Sequence, residues 1–151
     1  MTTPLPAGTP AVRRTVVDAD GRAKAYRPLA AADRTAAVVA GMRAYDAGDF
    51  FEAHELMEPA WMGTDDPAER ELIQGLIKLA AADVHGVRGN PRGVTRNLEG
   101  ARDRLRRVPD GDAIDGLRFD LRGLLALIDG RLAQIAADRP TDPIPVSWSS
   151  R

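Results

Sequence analysis

Between residues 30 and 138 the apolar positions recur at three- and four-residue intervals. The breaks in that rhythm fall at glycines, prolines and capping side chains. A first helix is expected from about Ala31 to Ala47, with Val38, Met42 and Tyr45 on one face and Gly48 ending it. Asp49 then stands as an N-cap with Glu52 three residues on, a capping box that opens helix 2. Pro59 should bend or stop that helix by freeing the Glu55 carbonyl. Asp66-Pro67-Ala68-Glu69 is a second box with proline at the first helical position, so helix 3 starts there, runs to about His85 and stops at Gly86 or Gly89. Asn90-Pro91 opens helix 4, whose buried stripe is Val94, Leu98, Ala101, Leu105 and Val108. Pro109-Asp110-Gly111 breaks the chain before helix 5, which starts between Asp112 and Asp120 and carries Leu121, Leu124, Leu125, Ile128, Leu132 and Ile135. No strand alternation of useful length is visible in this body. The fold class is therefore all-α, about five helices whose short connections make neighbours antiparallel or sharply crossed.

The ends of the chain read differently. Residues 1–29 are rich in Pro, Gly and Thr and form an N-terminal arm; it is either loose or closed into a small hairpin about Asp20-Gly21. Residues 139–151 contain Pro140, Pro143 and Pro145 and cannot be helical. Val146 and Trp148 are candidates to dock this tail on the body, since a free tail seldom carries a tryptophan. Residues 30–138 remain as the helical domain.

Helix 2 breaks the pattern. Its wheel puts His54 and Glu58 inside the most apolar arc, among Phe50, Phe51, Met57 and Trp61. An imidazole and a carboxylate on a face that a helix buries are costly unless paired. Helix 3 offers partners: beside its apolar arc runs a polar stripe of Arg70, Gln74, Lys78 and His85. If helices 2 and 3 form a hairpin, that stripe meets His54, Glu55 and Glu58. Arg70 or Lys78 would then neutralise a carboxylate, and Gln74 would satisfy remaining lone pairs. Ala80-Ala81-Ala82 lets another helix approach closely.

Three readings of this cluster stay open. In the first it is a buried polar network: His54 bonds to a carboxylate, Glu58 pairs with Arg70, Trp61 donates its indole N–H, and helix register is fixed without chemistry. In the second, His54 and Glu58 at i, i+4 chelate a metal, with His85 or Glu55 as third ligand. In the third, Glu58 or Glu55 is raised in pKa by the apolar wall and does acid–base work with His54. The first is the expectation, because most polar groups on a core face are structural. The chain has only two histidines and no H-E-x-x-H, so nothing calls for a metal or another cofactor.

Composition removes several classes. A chain of 151 residues makes one domain with tails. It contains no cysteine, which excludes disulfides, thiolate metal sites and thiol nucleophiles, and fits a cytoplasmic location. No apolar run approaches the about 18 residues of a membrane span, and Met1–Pro6 does not read as a secretory signal. A net charge of −1 gives no general pull toward nucleic acid or anionic lipid. One local exception is helix 4, ringed by Arg88, Arg92, Arg96, Arg102, Arg104, Arg106 and Arg107 against Glu99 and Asp103. It is either a phosphate or nucleic-acid surface or a solvated face with local pairs, Glu99 with Arg102 and Asp103 with Arg106 and Arg107. The solvated face is expected, since no aromatics interleave the arginines and no DNA-binding motif is evident. A homo-oligomer is compatible with the sequence.

The run Tyr45-x-x-Gly48-Asp49-Phe50-Phe51-Glu52-Ala53-His54-Glu55-x-x-Glu58-x-x-Trp61 continues through Arg70, Gln74-Gly75-Leu76-Ile77-Lys78-Leu79-Ala80-Ala81-Ala82, His85 and Gly89-Asn90. It resembles the signature of a prokaryotic family catalogued as domain of unknown function 309. The likeness covers about residues 40–107 and, more loosely, helix 5. It implies a small all-helical fold, a compact array and not a regular four-helix bundle. It also implies that Phe51, His54, Glu55, Glu58, Trp61, Arg70, Gln74 and His85 belong to the family's characteristic set. It implies no reaction. Lys78 stands where many relatives have glutamine, which adds a cation beside the cluster and weakens any metal there; Pro59 is a second departure. The function expected is a binding or structural module. The alternatives are a small hydrolase-like enzyme, with or without a metal, using His54 with Glu55 and Glu58, and phosphate or nucleic-acid binding through helix 4.

Overall fold

The alternation of capping residues and glycines divides the body into five α-helices among the described residues: α1 (Ala31–Asp46), α2 (Phe50–Met62), α3 (Pro67–Val87), α4 (Pro91–Leu105) and α5 (Leu121–Ala136). The computed structural model describes residues 15–17 and 23–150, with side chains from Tyr26 onward. The fold is the all-α array expected. Helices α1 and α3 end alike. Gly48 and Gly89 take left-handed φ of 84° and 69°. The next residue then bonds back into the last turn, Asp49 N–H to Ala44 and Asn90 N–H to His85, both at 2.9 Å. Only glycine adopts that turn without a steric cost.

The caps of α3, α4 and α5 are formed by side chains: Asp66 accepts from the Glu69 N–H at 3.0 Å, Asn90 from Gly93 at 3.2 Å and Asp120 from Gly123 at 3.0 Å. The capping box expected at α2 is not formed, as the Asp49 side chain makes no capping bond. Its backbone N–H is spent closing α1, so one residue serves two helix ends and its conformation suits the first. The second box is half made: Glu69 does not fold back on its own helix but is buried against α1, where Arg34 Nε donates to it at 2.6 Å. Pro59 does not stop α2, which continues to Met62. Glu55 and Pro59 both lie on the exposed side, where solvent can satisfy the carbonyl that proline leaves without a donor.

Helix α3 is the centre of the core. Leu72, Ile73, Leu76, Leu79 and Ala80 are buried between α2 on one side and α4 on the other; α1 packs on α2 and α5 on α4. No helix among the described residues is long and apolar enough to cross a membrane.

Four short strands complete the described chain. β1 (Thr15–Val17) and β2 (Ala23–Ala25) pair antiparallel, Val16 opposite Lys24; the expected turn at Asp20-Gly21 lies outside the described residues. β3 (Leu117–Phe119) and β4 (Trp148–Ser150) pair antiparallel, Phe119 opposite Trp148. This pairing corrects the expectation of a body without strands. Three residues are too few to display an alternation, although Leu117 and Phe119 point inward and Arg118 outward. Trp148 stacks on Phe119 at 6.5 Å and donates its indole N–H to Asp46 at 2.9 Å, while Ile144 is buried. The proline-rich C-terminal segment is thus tied to α1, α3 and β3.

Candidate functional site

Helices α2 and α3 are joined by residues 63–66 only, and they pack against one another as the short link requires. Where α4 joins them a cleft of about 400 Å³ opens. Its walls follow helical spacing. Phe51 and His54 come from α2, and Lys78, Ala81, Val84 and His85 from one face of α3. Arg88 lies at the end of α3, and Arg96 and Asn97 come from α4. Two of these side chains are seated on glycines of α4. A Cβ at Gly93 would collide with the His85 ring, and one at Gly100 would lie 2.8 Å from Lys78 Cδ. The glycines let α4 come close enough to form the third wall.

His54 is 29 % exposed at the side chain, and its Nδ1 stands 3.4 Å from Glu55 Oε1 without completing a hydrogen bond. Glu55 is 54 % exposed and Glu58 partly buried. A ligand atom from each of His54, Glu55 and Glu58 lies within 4.8 Å of the others. His85 is not in that group. Its Nδ1 is 3.1 Å from Asn90 Nδ2, and because Asn90 Oδ1 already accepts from Gly93, the Asn90 amide nitrogen donates and the ring nitrogen accepts. Nε2 is left as the donor of the His85 ring.

The residues of the expected cluster differ in burial and surroundings. Trp61 is buried in the core, yet its indole N–H finds no acceptor among the described residues, so the donor role expected of it is not realised. Arg70 does not pair with Glu58; its guanidinium lies over the Trp61 ring, 5.7 Å from the centroid. Gln74 is buried, and it, Glu58 and Lys78 each have an interaction partner within the protein. His54 and Lys78 line the cleft and are only partly buried. The physical reason is the width of the face that α3 covers. It buries Ala53, Met57, Ala60 and Trp61, while Phe51, apolar by type, stays 62 % exposed. His54 and Glu58 flank the buried stripe and do not lie within it.

The arginines of α4 also differ from expectation. The pairs are between helices: Arg102 with Asp129 of α5 at 3.4 Å, and Arg104 and Arg107 with Glu71 of α3 at 3.2 and 3.7 Å. Glu99 and Asp103 were the expected partners, but the neighbouring helices present carboxylates to the same guanidinium groups. Among the described residues Arg88 and Arg96, the two arginines of the cleft, form no ion pair.

A further buried polar network involves residues outside the expected set. Asp83 of α3 is 8 % exposed and is hydrogen-bonded to the buried Tyr45 hydroxyl. Tyr45 also reaches the Ile144 carbonyl at 2.6 Å. Burial pushes the Asp83 carboxyl up to about 6, against opposing pulls from the Tyr45 hydroxyl, Arg131 and the Ile144 backbone. Burial, and then the charge of Asp83, raise the Tyr45 phenol. The available signal was a carboxylate in the apolar arc of helix 3, between Ala80 and Val84.

Residues 38–97 match the model of a family described as a domain of unknown function, DUF309. This is the family that the sequence resembles, and every wall of the cleft, from Phe51 to Asn97, falls inside the matched span. Neither curated proteins nor solved structures give a match.

Proposed function

We propose that this DUF309-matching protein is a small-molecule binding module whose ligand enters the cleft between α2, α3 and α4 and contacts His54. The observation that carries the reading is the cleft itself. A volume of about 400 Å³ lies within the range of ligand sites, and it is lined by the His54 imidazole, which is 29 % exposed at the side chain. A polar group retained only to brace helices gains nothing from such an opening. The test is a fragment titration followed by amide and histidine NMR. Ligands should produce saturable shifts at His54, Ala81 and His85, and Ala81→Trp, which fills the cleft, should abolish them. Shifts elsewhere, or shifts that survive the filled cleft, would overturn the reading.

One observation favours an enzyme as the second reading: His54 Nδ1 and Glu55 Oε1 are 3.4 Å apart, within reach of a base and its orienting carboxylate. Glu58 completes the group, and a metal on these three residues would serve the same hydrolytic chemistry. Turnover of an ester or phosphoester panel that is lost in both His54→Ala and Glu55→Gln would support it; turnover retained in His54→Ala would remove it. Nucleic-acid binding through α4 is weakened, because Arg102, Arg104 and Arg107 are already engaged by carboxylates of this chain.

A further inference from the structure

Charge in the cleft is one-sided. Its lining contains Arg88 and Arg96, two imidazoles, the Asn97 amide and Lys78, which already has an interaction partner within the protein, and no carboxylate, although the whole chain carries a net charge of −1. The same helix that supplies Arg96 finds carboxylates for Arg102, Arg104 and Arg107. Leaving Arg88 and Arg96 unpaired beside a shared hollow costs mutual repulsion, and low-dielectric walls focus the resulting positive potential into the opening. The neutral donors agree in sign. His85 keeps Nε2 as donor because its Nδ1 is taken by Asn90. Asn97 Nδ2 gives one N–H to the Gly93 carbonyl at 2.8 Å and retains a second. Guanidinium forks match the paired oxygens of a phosphate or a carboxylate. Phe51 then adds an exposed aromatic ring at the rim of a basic site.

We propose that the ligand of this cleft is a small organic oxyanion, its phosphate or carboxylate held by Arg88 and Arg96 and its apolar part lying on Phe51. This rests on the binding reading above and adds the chemical class. The experiment titrates the full chain at low ionic strength with phenyl phosphate, benzoate, inorganic phosphate, neutral benzyl alcohol and cationic benzylamine, followed by NMR and calorimetry. Phenyl phosphate, benzoate or both should shift His54, His85 and Arg96 saturably and bind at least about tenfold more tightly than benzyl alcohol or benzylamine. Binding of phenyl phosphate alone assigns the phosphate, and of benzoate alone the carboxylate. Arg88→Ala/Arg96→Ala should weaken the bound anion about tenfold or more and reduce its salt dependence. Both arginines are exposed, so the fold should be retained, which a melting curve verifies. Phe51→Ala should weaken the aromatic anion and leave inorganic phosphate unchanged. Arg104→Ala, on the paired side of α4, should change neither. Anion binding indifferent to the double arginine variant overturns the proposal. So does a neutral or cationic probe that occupies the cleft as tightly as the anions, an outcome that leaves the binding reading standing. Silence of the cleft toward all five probes overturns both.

Discussion

Two polar clusters that meet on helix α3, around Asp83 and around Lys78 and His85, are built on opposite terms. Asp83 is buried with Tyr45 of α1 and the C-terminal segment around Ile144. Its hydroxyl and backbone partners come from positions distant in sequence, so the cluster ties three parts of the chain together. Lys78 and His85 lie on another face of the same helix and meet His54, Arg88 and Arg96 around an open hollow with no carboxylate in its lining. In the first cluster the protein completes its own hydrogen bonding. In the second it gathers donors and cations around an opening. A satisfied network braces a fold, whereas donors converging on a cavity describe a ligand.

The sharpest way to break this comparison is at Tyr45. Tyr45→Phe keeps the edge-on ring contact with Phe50, centroids 5.1 Å apart, and removes only the hydroxyl. Asp83 and the Ile144 carbonyl would each lose a buried partner. We expect a loss of about 2–3 kcal/mol and a melting temperature lower by about 5–10 °C. A change below about 1 kcal/mol would mean that the network is not a brace.

Next in size is the pH dependence of the same cluster. The Asp83 carboxyl rises from its ordinary 3.8 to about 6 in the folded protein, so the folded state holds that proton more tightly than the unfolded chain does. Its stabilising contribution is fully present below 3.8 and is lost as pH rises through about 6. The difference amounts to about 2–3 kcal/mol, by the conversion of a pKa shift into free energy. Urea titrations between pH 4 and 7 should show this component in the wild type and its absence in Asp83→Asn. An unchanged slope in Asp83→Asn would remove Asp83 as its source.

The smallest effects separate the two sides of α4. Arg104→Ala breaks a partly exposed pair with Glu71 and should cost at most about 1 kcal/mol. Arg96→Ala breaks no pair and relieves repulsion with its neighbours, so stability should stay within about 0.5 kcal/mol of wild type. A larger loss at Arg96 than at Arg104 would indicate that the cleft arginine has a structural role.

The helices were readable because their ends carry local chemistry: Gly48, Asp66-Pro67 and Asn90-Pro91 act within one turn of themselves. The α2 box failed because Asp49 serves two helices, a conflict that appears only when α1 closes. The pairing of Leu117–Phe119 with Trp148–Ser150 joins segments about thirty residues apart through strands too short to leave a period. At the cleft, the His54 and Lys78 region stood out as polar positions beside an apolar stripe. The contributions of Arg96 and Asn97 depended on which face of α4 meets α3, and that is decided by packing at Gly93 and Gly100. Asp83 is not legible in the sequence because neighbouring alanines and Val84 give its arc an apolar character, while its partner Tyr45 lies 38 residues away.

The most direct test of the contrast is the unfolding free energy of His54→Ala, measured by urea titration beside Tyr45→Phe under identical conditions. If the α2 cluster is a site and not a brace, His54→Ala should remain folded and lie within about 1 kcal/mol of wild type, well above Tyr45→Phe. A loss of about 3 kcal/mol or more, matching or exceeding that of Tyr45→Phe, would contradict it and make His54 part of the scaffold.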